Sequence, residues 1–215
     1  MARTAARKAP AARAVAEPTQ QALKSAQTRA RLIEATIRCL IKYGYSSTTT
    51  LKVAAEAGMS RGAMLHHFEN GGALMQATIG ELMERRLRAF RRAVDNPAPD
   101  VHTLVHTYWK QLLSQTFTAF VELAIASRTD KDLARILEPA QEQFRQRWYE
   151  LAIQLFPEWQ QDRKSFDLAL ALTQNTVEGM AINRLIHGCD EAMIDPVLDN
   201  LEAQILALRP KKKKG

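Results

Sequence analysis

Cysteine is almost missing from this chain: Cys39 and Cys189 are the only two in 215 residues. They fall on separate predicted helices, as two buried small apolar side chains would, and a reducing cytoplasm is the expected compartment. Long apolar runs are missing too. No stretch approaches the roughly 18 residues that a membrane span needs, and no secretory signal is expected, because no apolar core follows the basic N-terminus. Strand alternation, hairpin turns and internal repeats are also missing, which leaves helical periodicity throughout. There is no Gly-rich phosphate loop, no His-Glu-x-x-His pair and no serine in a nucleophile elbow. An enzyme is therefore not expected, nor is a cofactor or a metal. His102 and His106 do stand four apart on a predicted helix, a spacing that metals use, but spacing suggests no third ligand.

What is present is enough apolar residue, 46%, to bury a sizeable core, and a lopsided charge. Residues 1–94 hold sixteen Lys/Arg against six acidic residues, residues 95–208 hold nine against seventeen, and residues 209–215 hold five Lys/Arg and no acid. A net charge of +7 thus hides a basic first half and an acidic second half. That distribution favours a polyanion at the N-terminal end and at the tails.

The stretch Thr48 to Phe68 is the organising one. Thr49 or Thr50 can cap a short helix whose small apolar face is Val53, Ala54 and Ala57. Gly58 supplies the positive φ that ends it. Ser60 caps a second helix, about Arg61 to Phe68, with Met64 and Phe68 inward. Two short helices meeting at a steep angle across such a turn form a helix-turn-helix, whose second helix enters the major groove of DNA. Arg61 opens that helix, where an arginine can grip guanine O6 and N7; a phosphate contact or plain solvation is the alternative. Gly62 allows close backbone approach, and Ala63, Leu65, His66 and His67 follow on the same helix. Thr49, Thr50 and Lys52 sit at the start of the first helix, where an N-terminus can hold a phosphate.

The segment from about Thr28 to Leu74 resembles the N-terminal domain of the TetR family of bacterial transcriptional repressors. Arg29, Ala35, Leu40, Gly44-Tyr45, Thr48-Thr49, Val53-Ala54, Ala57-Gly58, Ser60, Gly62, His67-Phe68 and Leu74 carry the resemblance. It implies that His67 contacts phosphate. Leu65 replaces the family's usual aromatic, Ala63 its hydroxyl residue, and Gly71-Gly72 its Lys and acidic pair at the start of helix 4. Each replacement removes a contact to the DNA backbone. The basic arm, with Arg3, Arg7, Lys8 and Arg13, is the compensating element if it is more than a solvated tail. Deleting residues 1–20 is then expected to lower operator affinity and to flatten its dependence on salt. Equal binding by truncated and full-length protein across a salt series would refute this.

The resulting expectation is an all-α chain of about nine helices. It comprises a flexible basic arm (1–24), a helix-turn-helix domain (25–72), a larger helical ligand-binding and dimerisation domain (73–208) and a basic tail (209–215). Helix 1 is expected over about 25–43. Asn70-Gly71-Gly72 reads as a break before a fourth helix of about 73–94, whose other face carries Arg85, Arg86, Arg88, Arg91 and Arg92. Asp95-Asn96-Pro97-Ala98-Pro99 is a stiff linker. Helices are expected at about 100–114 and 116–127, then from Asp130 to about Phe156 with Pro139 kinking or splitting it, at 162–187 up to Gly188, and at about 191–208.

In the second half Trp109, Phe117, Phe120, Phe144, Trp148 and Met180 are candidates for an apolar ligand site. Ordinary aromatic core is the alternative, and the resemblance, which implies a small apolar or planar effector there, favours the site. Leu168, Leu172, Val177, Ala181 and Leu185 are candidates for a homodimer surface, since the family pairs through two C-terminal helices. Double-stranded palindromic operator DNA, a small-molecule effector and a second copy are the expected partners. The rivals are a sequence-tolerant DNA-binding protein and a metal-dependent enzyme on the His102/His106 face.

Overall fold

The computed structural model describes residues 19–94 and 100–210, with only the backbone of residues 93 and 94. The expected arm contacts at Arg3 to Arg13, the Asp95–Pro99 linker and the lysine tail fall outside those residues. Among the described residues there are nine α-helices and no strands: α1 Gln20–Tyr43, α2 Thr50–Glu56, α3 Arg61–Leu65, α4 Gly71–Val94, α5 Val101–Leu112, α6 Gln115–Ser127, α7 Lys131–Leu155, α8 Arg163–Leu185 and α9 Ile194–Leu208. None is long and apolar enough to cross a membrane. Two 3-10 turns, Pro157–Gln161 and Glu191–Met193, precede α8 and α9.

Side-chain caps set most of the helix starts. The Thr103, Phe117, Leu133 and Ser165 N–H groups donate to Asp100, Ser114, Asp130 and Asp162, which cap α5, α6, α7 and α8. Those donated N–H bonds hold the Asp100, Asp130 and Asp162 carboxyls below the usual carboxylate range. Thr19 caps α1, so that helix starts at Gln20 and takes five residues from the expected arm. Asn70 accepts from the Ala73 N–H and caps α4. Gly71 and Gly72 are therefore the first turn of α4 rather than a break, and the expected boundary at residue 72 lies inside a helix. Pro139 lies inside α7, which runs on without splitting.

Two cores stack along the chain. The smaller holds Leu32, Ala35, Cys39, Val53, Ala54, Ala57, Met64, Phe68 and Leu74. The larger fills the body, with Ile37 and Leu40 from α1 and Ile79, Leu82 and Leu87 from α4. Helices α1 and α4 thus serve both cores and join them. Both cysteines are free; Cys39 is buried, which raises its thiol pKa.

A second junction is the corner after α1. Gly44 has φ +76°, and its N–H donates to Leu40 O at 3.0 Å. The next N–H, of Tyr45, donates to Glu122 Oε1 at 2.8 Å, and the Tyr45 hydroxyl donates to Asp130 Oδ2 at 2.9 Å. Burial, with that bond, pushes the Tyr45 pKa up to about 12, so it remains a donor at neutral pH. A Cβ on Gly44 would lie 2.9 Å from Glu122 Oε1. Gly44→Ala is therefore expected to cost about 1–3 kcal/mol from the positive-φ, extended-ψ backbone alone, a region that is essentially glycine's, plus displacement of Glu122. Chemical denaturation should show this, and an unchanged midpoint would remove the corner as a junction.

Candidate nucleic-acid interface and effector cavity

The turn between α2 and α3 is fully hydrogen-bonded. Gly58, at φ +65°, donates its N–H to Ala55 O, and Met59 donates to Ala54 O, both at 3.0 Å. This is the pair of reverse bonds that ends a helix on a left-handed residue. Lys52 N–H donates to Thr49 Oγ1 at 3.3 Å and Ala63 N–H to Ser60 Oγ at 3.1 Å, so Thr49 rather than Thr50 caps α2. Met64 and Phe68 point into the small core. The opposite side of α3 is left to solvent, with Arg61, Gly62, Leu65 and His66 exposed and Ala63 and His67 half-buried. Thr49, Lys52 and Ser60 are exposed and Thr50 is half-buried. All ten sequence-selected positions thus retain some accessible surface, on one short motif.

The α-helical part of α3 ends at Leu65, shorter than expected, and His66 and His67 form the turn that follows. Arg29 of α1 holds that turn in place. Its guanidinium donates to His67 O and stacks 3.9 Å from the Phe68 ring centroid. At the other edge Lys42 and Lys52 lie 5.0 and 4.8 Å from the exposed Tyr43 ring, a basic-aromatic group of which the sequence singled out Lys52 alone. Lys42-Tyr43 at the end of a helix next to the motif was the available signal. The N-termini of α2 and α4 lie side by side, since a Cβ on Gly71 would come 3.1 Å from Thr50 Cγ2. Two helix N-termini at one surface favour an anion.

In the body, α4, α5, α7, α8 and α9 enclose an apolar cavity of about 80 Å3. Phe90, Tyr108, Trp148, Trp159, Phe166 and Thr173 are among its walls. Beside it is a pocket of about 240 Å3 lined by Arg85, Arg86, Arg92, Gln111, Phe117, Phe144 and others. Tyr108 and Trp148 belong to both. A larger depression, about 580 Å3 around Tyr45 and Asp130, is open and lined mainly by polar side chains. It lacks the enclosing apolar walls of a small-molecule site.

Of the sequence-selected aromatic residues, Trp148, Phe117 and Phe144 line these spaces. Trp109 and Met180 line neither: Trp109 is buried in the main core and Met180 packs against it. Phe120 lies 4.2 Å beneath the Arg86 guanidinium instead. Tyr108 and Trp159 were missed because periodicity alone cannot separate a cavity wall from solid core.

Arg86 departs most from expectation. It does not share the solvent face with Arg88, Arg91 and Arg92; its side chain is only 12% exposed. It stacks on Phe120 at 4.2 Å and Phe144 at 4.3 Å and donates to Glu178 Oε1 of α8 at 3.0 Å. Tyr108 donates to the same oxygen at 2.8 Å. Burial and the adjacent Glu178 charge hold the Tyr108 pKa far above its ordinary value, so it acts as a donor. Arg85 also turns aside, to Glu34 of α1 and Glu81. Glu84 pairs with Arg147 of α7, which lowers its pKa. Through these pairs α4 is bonded to α1, α7 and α8.

The proposed dimer positions split between two faces. Val177 and Ala181 are 0% and 2% exposed within the single chain, so they serve the subunit's own core and cannot meet a partner. Leu168, Leu172 and Leu185 retain exposed surface, and Ile182 and Ile186 join them. The helix stops at Leu185 rather than at Gly188. His187, not glycine, takes the left-handed position at φ 60°, with Gly188 N–H donating to Asn183 O at 2.8 Å.

A family model described as bacterial regulatory proteins, tetR family, matches residues 32–78. The chain is 32% identical over 177 residues to the uncharacterised HTH-type transcriptional regulator Rv2912c of Mycobacterium tuberculosis, across 77% of this chain and 86% of that protein. It is 30% identical over 107 residues to the HTH-type nicotine-responsive transcriptional repressor HdnoR of Paenarthrobacter nicotinovorans, across 48% of this chain and 55% of that one. The structure of Salmonella enterica GusR superposes with a TM-score of 0.65 over 85% of this chain and 95% of that chain, at 21% identity. That last likeness is one of fold.

Proposed function

The chain belongs to the tetR family of bacterial regulatory proteins, and from that premise we propose that this DNA-binding transcriptional regulator is a repressor. It binds a palindromic operator as a homodimer and is released by a small, mainly apolar effector. The observation that carries the effector reading is Arg86. It projects from α4, the helix that also packs the helix-turn-helix, into an aromatic and acidic setting beside the cavity. The cavity of about 80 Å3 and the adjoining pocket of about 240 Å3 are each below the roughly 300–1,000 Å3 of typical ligand sites. An effector must therefore displace side chains, and Trp148 and Tyr108, which divide the two spaces, are the ones that would join them. Movement there bears on the Arg86–Glu178 pair and so on the tilt of α4.

The homodimer reading is supported by an apolar stripe on α8. Leu168, Leu172, Gly179, Ile182 and Ile186 recur on one helical face; Leu168 is 49% and Ile186 67% exposed. Gly179 costs about 1 kcal/mol relative to alanine within a helix. Among the described residues nothing beyond the adjoining turns of α8 lies within 4 Å of a Cβ built there, which leaves room for a second helix to approach closely. Two recognition helices on such a dimer must lie roughly 34–36 Å apart to reach successive major grooves.

Linkage supplies the test. If effector binds the DNA-free conformation better, operator must weaken effector binding by the same factor. Calorimetric titration of an effector identified by release from operator should show at least about a fivefold weaker affinity in the presence of operator, the low end of typical coupling. Equal affinities, or a lone subunit at operator-binding concentrations, would overturn the reading. HdnoR's nicotine response belongs to that relative; for this chain it makes small heterocyclic amines one class to screen.

A further inference from the structure

We propose that His102 and His106 of α5 and Asp199 of α9 form a binding site for one divalent transition-metal ion, with Zn2+ as the type case. The two histidines share a helical face, and their ring centroids lie 4.2 Å apart. Tertiary folding brings Asp199 to them, so that one donor atom from each of the three residues lies within 4.8 Å of the other two. Donors around a tetrahedral zinc ion at about 2.0–2.1 Å stand roughly 3.3 Å apart. The set need contract by no more than about 1.5 Å, and rotation of the exposed His102 and Asp199 side chains can supply it.

Two further observations support a ligand here. His106 Nε2 is buried and has no hydrogen-bond partner among the described residues. A buried ring nitrogen without a partner is costly, and a bound ion is one partner that satisfies it. In addition, His102 Nδ1 pairs with Glu202 Oε2 of α9 at 2.9 Å. A carboxylate on an imidazole is the usual device for fixing the orientation of a metal-bound histidine. Two imidazoles and one carboxylate favour zinc, nickel, copper or cobalt over magnesium or calcium, which prefer all-oxygen sets. Three protein ligands leave the fourth tetrahedral position to water.

The site bridges α5 and α9, whose Val101, Val105 and Ile205 line the apolar cavity. An ion there fastens two cavity walls to each other, at a position separate from Arg86 and from α3. It stands independently of the repressor and effector readings.

The test uses the full chain, stripped with chelator and titrated with Zn2+ alone. Wild-type protein should take up one ion per chain and melt at a higher temperature with the ion than without it. His102→Ala and Asp199→Asn should each weaken binding by at least about tenfold, and Glu202→Gln by about tenfold, as loss of an orienting partner does. Co2+ should give the visible absorption of a tetrahedral site in wild type and lose it in both ligand variants. The far-ultraviolet circular dichroism of the stripped variants should match wild type, which separates ligand loss from misfolding. Wild-type affinity no better than that of the variants would reduce the cluster to a His102–Glu202 hydrogen-bonded pair. Full binding retained by the His102→Ala/Asp199→Asn double variant would place the ion elsewhere. Either result overturns the proposal.

Discussion

Arg61→Ala is expected to weaken binding to the cognate operator by about 5- to 150-fold at fixed salt, corresponding to the ~1–3 kcal/mol of a lost bidentate base contact. Arg61 is the first residue of α3 and is exposed, and the Ser60 hydroxyl caps the helix without using the Arg61 side chain. Its loss therefore leaves the motif folded, because the small core depends on Met64, Phe68 and Val53 instead. Melting of the variant should match wild type, and that match isolates the effect on DNA. Titration against the operator and against substituted operators distinguishes the two kinds of contact. A base contact predicts relaxed specificity at one base pair per half-site. A phosphate contact predicts a uniform loss and a shallower salt slope. Unchanged affinity for every sequence at every salt concentration would mean that α3 does not read this DNA.

Arg86→Met should destabilise the protein by about 2 kcal/mol and lower its melting temperature by about 4–8 °C. Breaking a fully buried ion pair from one side costs about 3–5 kcal/mol. Here Arg86 is 12% and Glu178 30% exposed, so water screens part of the charge left behind; methionine also keeps most of the apolar stem over Phe120 and Phe144. A chain of this size shifts by about 2–4 °C per kcal/mol. Glu178→Gln in the same background should recover part of the loss, since glutamine still accepts the Tyr108 hydroxyl without stranding a charge. The double-mutant cycle should give a coupling of about 0.5–3 kcal/mol. Purely additive effects would mean that the pair does not join α4 to α8. With the joint removed, an effector that releases wild type from operator should release Arg86→Met less, because motion in the cavity no longer bears on α4.

The helix-turn-helix was legible in the sequence because its determinants are local. Thr49, Gly58 and Ser60 each act on backbone groups two to four residues away, and every one of those bonds is present. Helix starts at Asp100, Asp130 and Asp162 were legible for the same reason. Gly71-Gly72 misled because glycine lowers helix propensity, whereas the Asn70 cap and packing against Thr50 outweigh that deficit. At Pro139, of the two expected outcomes only the split is absent: tertiary burial of Leu137 and Phe144 on either side holds α7 continuous through a missing N–H.

On α8 the pattern of apolar residues is broad enough to cover two faces, so spacing could not assign Val177 and Ala181 inward and Ile182 and Ile186 outward. Only the positions of α5 and α9 did that. Arg86 looked like one more surface arginine because five occur in eight residues; its partners, Phe120, Phe144 and Glu178, are 34 to 92 residues away. His102 and His106 were visible as a pair, yet Asp199 is on another helix almost a hundred residues on. The sequence alone determined the all-helical class, the caps at Thr49, Ser60, Asp100 and Asp130, the helix-turn-helix and the division of charge, all of which follow from interactions within a turn or from composition. Tertiary structure alone decided which side chains enclose the cavity, which arginine ties the reading head to the body, and which carboxylate joins the two histidines, because each depends on residues that only packing brings within a few ångströms.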